Sequence, residues 1–100
     1  MAFGIKREEL VAWKEKVQQG EIAFLTHYWY DPRFPDIKTV TKVGCSNLER
    51  LIQWGEKYNI PAKYIDNRSR AYPHFDLFGP RQIEILTSEN KLEQLHRFKR

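Results

Sequence analysis

The chain predicts an α/β fold: a small mixed three-stranded sheet packed by three to four helices in the order α-β-β-α-β-α-α, with α+β as the alternative arrangement. Three observations carry this expectation. Apolar residues recur at helical spacing in four segments, and short apolar or β-branched runs follow the first of them. Glycine, asparagine and proline punctuate the joins.

The first segment, Lys6–Gln19, places Leu10, Trp13 and Val17 on one face, so Trp13 is expected in the core. Gly20 stands where a left-handed helix cap belongs. Ile22–Tyr28 is apolar on both faces and reads as a central, doubly covered strand. Pro32 and Pro35 exclude regular structure from Trp29–Lys38. Thr39–Val43 is the second strand. Ser46 and Glu49 read as a capping box opening a helix with Leu48, Leu51, Ile52 and Gly55 inward. Asn59 caps that helix and Pro61 prevents its continuation.

Tyr64–Ile65 reads as a third short strand, which would complete a right-handed parallel βαβ unit with Thr39–Val43. About ten residues join the first two strands, too few for a parallel crossover, so that pair is expected to be antiparallel or not adjacent. Gly79–Pro80 opens a third helix, Pro80–Thr87, burying Ile83 and Leu86. Asn90 and Glu93 form a second box before a terminal helix with Leu92, Leu95 and Phe98 inward.

One hundred residues fit a single domain, 1–100, and a homodimer would add to a thin core. Lys and Arg number 17 against 13 Asp and Glu, a mild excess that permits an anionic partner without requiring one. A lone Cys45 excludes an internal disulfide and any Cys-x-x-Cys zinc site. No run resembles a secretory signal or approaches the ~20 apolar residues of a membrane span, so a cytoplasmic protein without a membrane partner is expected.

Three constellations carry chemistry. His74-x-Asp76 would point both side chains the same way from an extended segment, toward a proton or a metal. In the run from His27 to Asp36, Trp29 and Tyr30 could stack a ring while Arg33 holds a phosphate and Asp31 joins the His/Asp pair. The plainer reading there is a packed loop with an Asp31–Arg33 or Arg33–Asp36 ion pair. Lys42 and Ser46 flank a glycine turn at a helix N-terminus, suited to an anion, although Ser46 as a simple cap accounts for it as well. Cys45 reads as a buried thiol rather than a nucleophile.

The segment from Thr39 to Asp76, with its Asn59-Ile60-Pro61 turn, Tyr64-Ile65 pair and His74-Phe75-Asp76, resembles the bacterial and phage domain of unknown function DUF4031 over residues 22–86. The whole chain resembles short Bacillus proteins of the YneQ type. The resemblance puts a His-Tyr-Asp motif on His74, Phe75 and Asp76, with Phe in place of Tyr, and an acidic position on Asp31. A His and an Asp of that domain fall on Lys42 and Ser46, departures that weaken any chemistry carried over, above all a His/Asp metal site. The resemblance implies an architecture and a site, and no reaction or cofactor.

The residues together predict a binder of a phosphate-bearing ligand, a nucleotide or nucleic acid. His27, Trp29, Tyr30, Arg33, Lys42, Ser46, Asn67 and Arg68 are the candidate contacts. The alternatives are a phosphoester hydrolase using His74, Asp76 and Asp31, and a protein-interaction module using the aromatic loop.

Overall fold

Helix α1, Arg7–Gln18, turns Trp13 and Val17 inward, and Gly20 ends it with φ of 80° as its position implied. The computed structural model describes residues 4–96 and residue 98. Strands β1 (Ala23–Tyr28) and β2 (Thr39–Gly44) follow, then α2 (Leu48–Lys57), a 3-10 turn at Ala62–Tyr64, and β3 (His74–Leu77). Helices α3 (Gly79–Ser88) and α4 (Glu93–His96) complete the order α-β-β-α-β-α-α. The class is α+β.

The sheet runs β1-β2-β3 with both pairings antiparallel. The mixed sheet and the parallel βαβ unit are therefore corrected. Tyr64 closes the 3-10 turn and the third strand lies ten residues further on. The 3-10 turn takes up Ala62–Tyr64 of the four residues between Pro61 and Asp66, which leaves no room for a strand there. His-Phe-Asp-Leu, by contrast, alternates polar and apolar in the period of a half-buried strand. Strand β1 is an edge rather than the centre. Its two-sided burial comes from helices: α1 on one face, and on the other the side that holds Phe24 against Trp54.

Register sorts the residues into two faces. Phe24, Val43 and Phe75 are cross-strand partners on one, and Leu25, Lys42 and Asp76 on the other. The first face packs Val43, Phe75 and Leu77 against Leu51 and Trp54 of α2 and Ile85 of α3. Burying each such aliphatic side chain contributes about 1.5–3 kcal/mol. Thr26 and Thr41 share a hydrogen bond of 2.6 Å on this face, and Gln82 Nε2 donates to Thr41 Oγ1 at 2.9 Å. Ile83, expected inside, is 53% exposed, while Gln82 and Ile85 take the inward positions. Leu48 is likewise exposed, and Trp54 is buried instead.

On the second face, α1 covers Ala23, Leu25 and Gly44. A Cβ on Gly44 would lie 2.6 Å from Trp13 Cζ2, so only glycine lets the helix sit this close. The Trp13 indole donates to the Ala23 carbonyl at 3.0 Å, satisfying an acceptor of the edge strand. Helix α1 stops short of the rest of this face, and that uncovered end positions the site.

Helix α2 starts one residue later than the capping box implied. Asn47 is the N-cap, its Oδ1 accepting from the Arg50 N–H at 3.1 Å, and the Ser46 hydroxyl donates to the Gln18 carbonyl. Asn47→Ala should therefore cost about 1 kcal/mol. Ser46→Ala should cost less than half as much, and urea melts of the two variants check the order. Asn90, with φ of 57°, ends α3 instead of opening α4, because Lys91 donates back to the Leu86 carbonyl. Asn59 does cap α2 in the left-handed region, at φ of 60°.

Candidate functional site

Alternation along the antiparallel strands sends His27, Val40, Lys42, His74 and Asp76 to the same face, beyond the edge of α1. These residues line a cleft of about 470 Å³, within the range of small-molecule sites. Asp66, Arg68 and Ser69 form one wall, and Trp29 and Phe78 the other. Trp29 and Phe78 stack with centroids 5.7 Å apart. A second, apolar groove of about 570 Å³ runs between Ile60–Tyr64 and β3 and shares Asp76 and Phe78 with the first.

His74 sits between two carboxylates. Its Nε2 is 3.6 Å from Asp76 Oδ1 and 3.8 Å from Asp66 Oδ2, while Nδ1 is 2.9 Å from the Tyr72 carbonyl. A backbone bridge between Asp66 and His74 holds the two segments together. Arg68 grips Asp66 in a fork, with Nη2 to Oδ2 at 2.6 Å and Nε to Oδ1 at 3.1 Å. Those bonds are the main reason the Asp66 carboxyl titrates well below the usual carboxylate range; burial opposes them, and nearby His74 assists.

His27 is 4% exposed, and its Nε2 is buried with no hydrogen-bond partner among the described residues. Its Nδ1 meets the Tyr28 carbonyl at 2.7 Å. Burial pushes this imidazole below its ordinary value; the Tyr28 carbonyl acts the other way, and Lys42 adds to the lowering. Because the folded value lies below the unfolded one of about 6.5, the unfolded chain takes up its proton first as the solution is acidified. The stability from neutral His27 is then present above about pH 6.5 and is lost as pH falls through the folded value. Urea melts at stepped pH should show a steeper acid-side loss in the native chain than in His27→Gln. Equal slopes would refute a buried neutral imidazole.

Of the residues singled out from sequence, the cleft gathers His27, Trp29, Lys42, Arg68, His74 and Asp76. Asp31, Tyr30, Arg33, Ser46 and Asn67 do not line it. Asp31 and Arg33 pair with each other, Nη2 to Oδ2 at 2.5 Å, which is the plainer of the two readings of that loop. Tyr30 is 74% exposed, and Ser46 and Asn67 face solvent. Cys45 is buried and its thiol donates to the Gly20 carbonyl at 3.3 Å.

Asp66 and Phe78 were missed. Asp66-Asn67-Arg68 repeats the Asp-x-Arg spacing of Asp31-Pro32-Arg33, and both form the same forked pair, so the spacing was the available signal.

The fold and cleft define a small α+β protein with a polar site on the uncovered end of an antiparallel sheet. The chain belongs to the YneQ family: it is 55% identical over 98 residues to the uncharacterized protein YneQ of Bacillus subtilis (strain 168), covering 98% of each chain. No family model matches the chain, so the DUF4031 resemblance rests on its quoted residues alone, and no solved structure matches it. No described helix is long and apolar enough to cross a membrane.

Proposed function

We propose that the cleft binds a small phosphate-bearing ligand, with a nucleotide as the class that fits. The observation that carries this reading is Lys42. Its ammonium rises from the central strand into the cleft and forms no ion pair among the described residues, although Asp76 lies opposite it in register. Arg68 on the wall adds a fork suited to phosphate, and the Trp29–Phe78 stack offers an aromatic surface to a base. Acidic and basic groups alternate here instead of forming a basic stripe, which favours one small ligand over a nucleic-acid strand.

A phosphoester hydrolase is the second reading, favoured by the placement of His74 Nε2 between the Asp66 and Asp76 carboxylates. Thermal-shift screening tests the first. At a hundredfold excess over Kd a ligand adds about 2.7 kcal/mol, enough to raise Tm by several degrees in a chain this size. ATP or AMP should give that shift, and single-stranded oligonucleotides a smaller, salt-sensitive one. No shift with any phosphate compound at millimolar concentration would refute the reading.

A further inference from the structure

We infer that Asp66, His74 and Asp76 hold a divalent cation, and that the cleft takes the phosphate of its ligand through that cation. The second half rests on the proposed function; the first does not.

Each of the three residues offers one ligand atom, and these atoms lie within 4.8 Å of one another. Donors about 2.1 Å from a shared cation stand roughly 3–3.5 Å apart. The separations of 3.6 and 3.8 Å at His74 Nε2 need to close by a few tenths of an ångström, and the two carboxylates, within 4.8 Å of each other, by up to about an ångström more. Asp76 is 41% exposed and can make that adjustment.

The histidine's own bonding sharpens the point. A carbonyl only accepts, so the Nδ1 facing Tyr72 carries a proton. Its Nε2 then faces two carboxylates, which also only accept. A bare lone pair between two anions is repelled, so Nε2 takes up either a proton or a metal cation, and titration with Mn²⁺ distinguishes the two. A ligating histidine whose other N–H is held by a backbone carbonyl is also the usual outer arrangement of a metal site.

Two further features point to an occupant. His27 is 4% exposed and lines the same cleft, and its buried Nε2, without a partner among the described residues, is a polar atom that a ligand or a cation-bound water would satisfy. Moreover, Asp66 and Asp76 would repel a phosphate from a cleft otherwise suited to it. A divalent cation between them reverses the local sign. Arg68 steadies Asp66 from outside, and its 91% exposed side chain can trade one bond for a phosphate oxygen. Two carboxylate oxygens and one imidazole nitrogen suit Mn²⁺ or Zn²⁺ and leave positions for water and ligand.

The test is titration of the full chain with Mn²⁺ followed by electron paramagnetic resonance, with Zn²⁺ as competitor. The native chain should bind one equivalent. Asp76→Asn and Asp66→Asn should each weaken binding at least tenfold, since even outer-shell partners of a metal are worth about 10- to 100-fold. Asp36→Asn should bind as the native chain does. Circular-dichroism melts confirm that each variant folds, and substoichiometric Mn²⁺ should broaden the His74 imidazole signals in the native chain and in Asp36→Asn, and much less in the two cleft variants.

If the native chain binds neither metal stoichiometrically, or if both cleft variants bind as well as it does, the site is refuted and a proton bridges His74 to the carboxylates. ATP titrations with Mn²⁺ and with EDTA separate the two halves. Equal ATP affinity under EDTA would refute the phosphate link and leave the ligand reading standing. Metal binding without any ATP binding would support the cation site and refute the nucleotide.

Discussion

Phe75→Ala is expected to lower the unfolding free energy by about 3–5 kcal/mol, the range for deleting a buried aromatic ring. Phe75 is 1% exposed and occupies the middle of the core between the sheet and α2. Its ring fills the space that a side chain at Gly55 would need: a Cβ there would fall 2.5 Å from Phe75 Cζ. The Trp54 ring lies 5.9 Å away, centroid to centroid. Neighbours held this firmly by helix and strand backbone collapse poorly into a void. The loss is a large share of the ~5–15 kcal/mol that stabilises a typical domain. Phe75 also fixes the register that turns His74 and Asp76 to the opposite face, so slippage of β3 would empty the cleft. Urea unfolding followed by tryptophan fluorescence measures the effect. Phe75→Leu should lose less than half as much, and an alanine penalty below about 1 kcal/mol would contradict this account of the core.

Lys42→Ala should weaken binding of a phosphate-bearing ligand roughly 10- to 150-fold. A hydrogen bond to a charged group is worth about 1.5–3 kcal/mol, and each 1.4 kcal/mol is a factor of ten. Lys42 is the cation expected to matter most because strand β2 fixes its backbone on both sides. Arg68, at 91% exposure and already paired with Asp66, should contribute less. Arg33→Ala should leave affinity unchanged, since its guanidinium is occupied by Asp31 outside the cleft. Isothermal titration with ATP in the presence of Mn²⁺ compares the three variants. A loss at Arg33 equal to that at Lys42 would move the binding surface onto the aromatic loop.

Much of this arrangement was legible in the chain, and the parts that were not have physical reasons. Helical periodicity and left-handed caps at Gly20 and Asn59 are local signals, so α1 and the end of α2 could be read directly. Strand pairing is not local. Ile22–Tyr28 reads as a central strand because helices cover both its faces, and a sequence does not distinguish cover by helices from neighbouring strands. His74–Leu77 is only four residues long and lies after two prolines' worth of turn signals, so its period-2 alternation was easy to pass over.

His74-x-Asp76 was visible as a same-face pair because two-residue spacing in an extended chain has only one outcome. Asp66 was not, since its place beside His74 depends on a backbone bridge across an irregular loop. Asp31 and Asp66 carry the same forked arginine, yet the turn of each loop puts one on the wall of the cleft and the other outside it.

The proposed functional surface is the polar cleft on the uncovered end of the sheet, and not the apolar groove beyond β3. Heteronuclear NMR of the full chain titrated with ATP and Mg²⁺ tests it most directly. Progressive shifts are expected at His27, Lys42, Arg68, Ser69 and His74, with Ile60, Tyr64 and Arg81 left in place. Shifts at Ile60, Tyr64 and Arg81 with a silent Lys42 and His27 would contradict it.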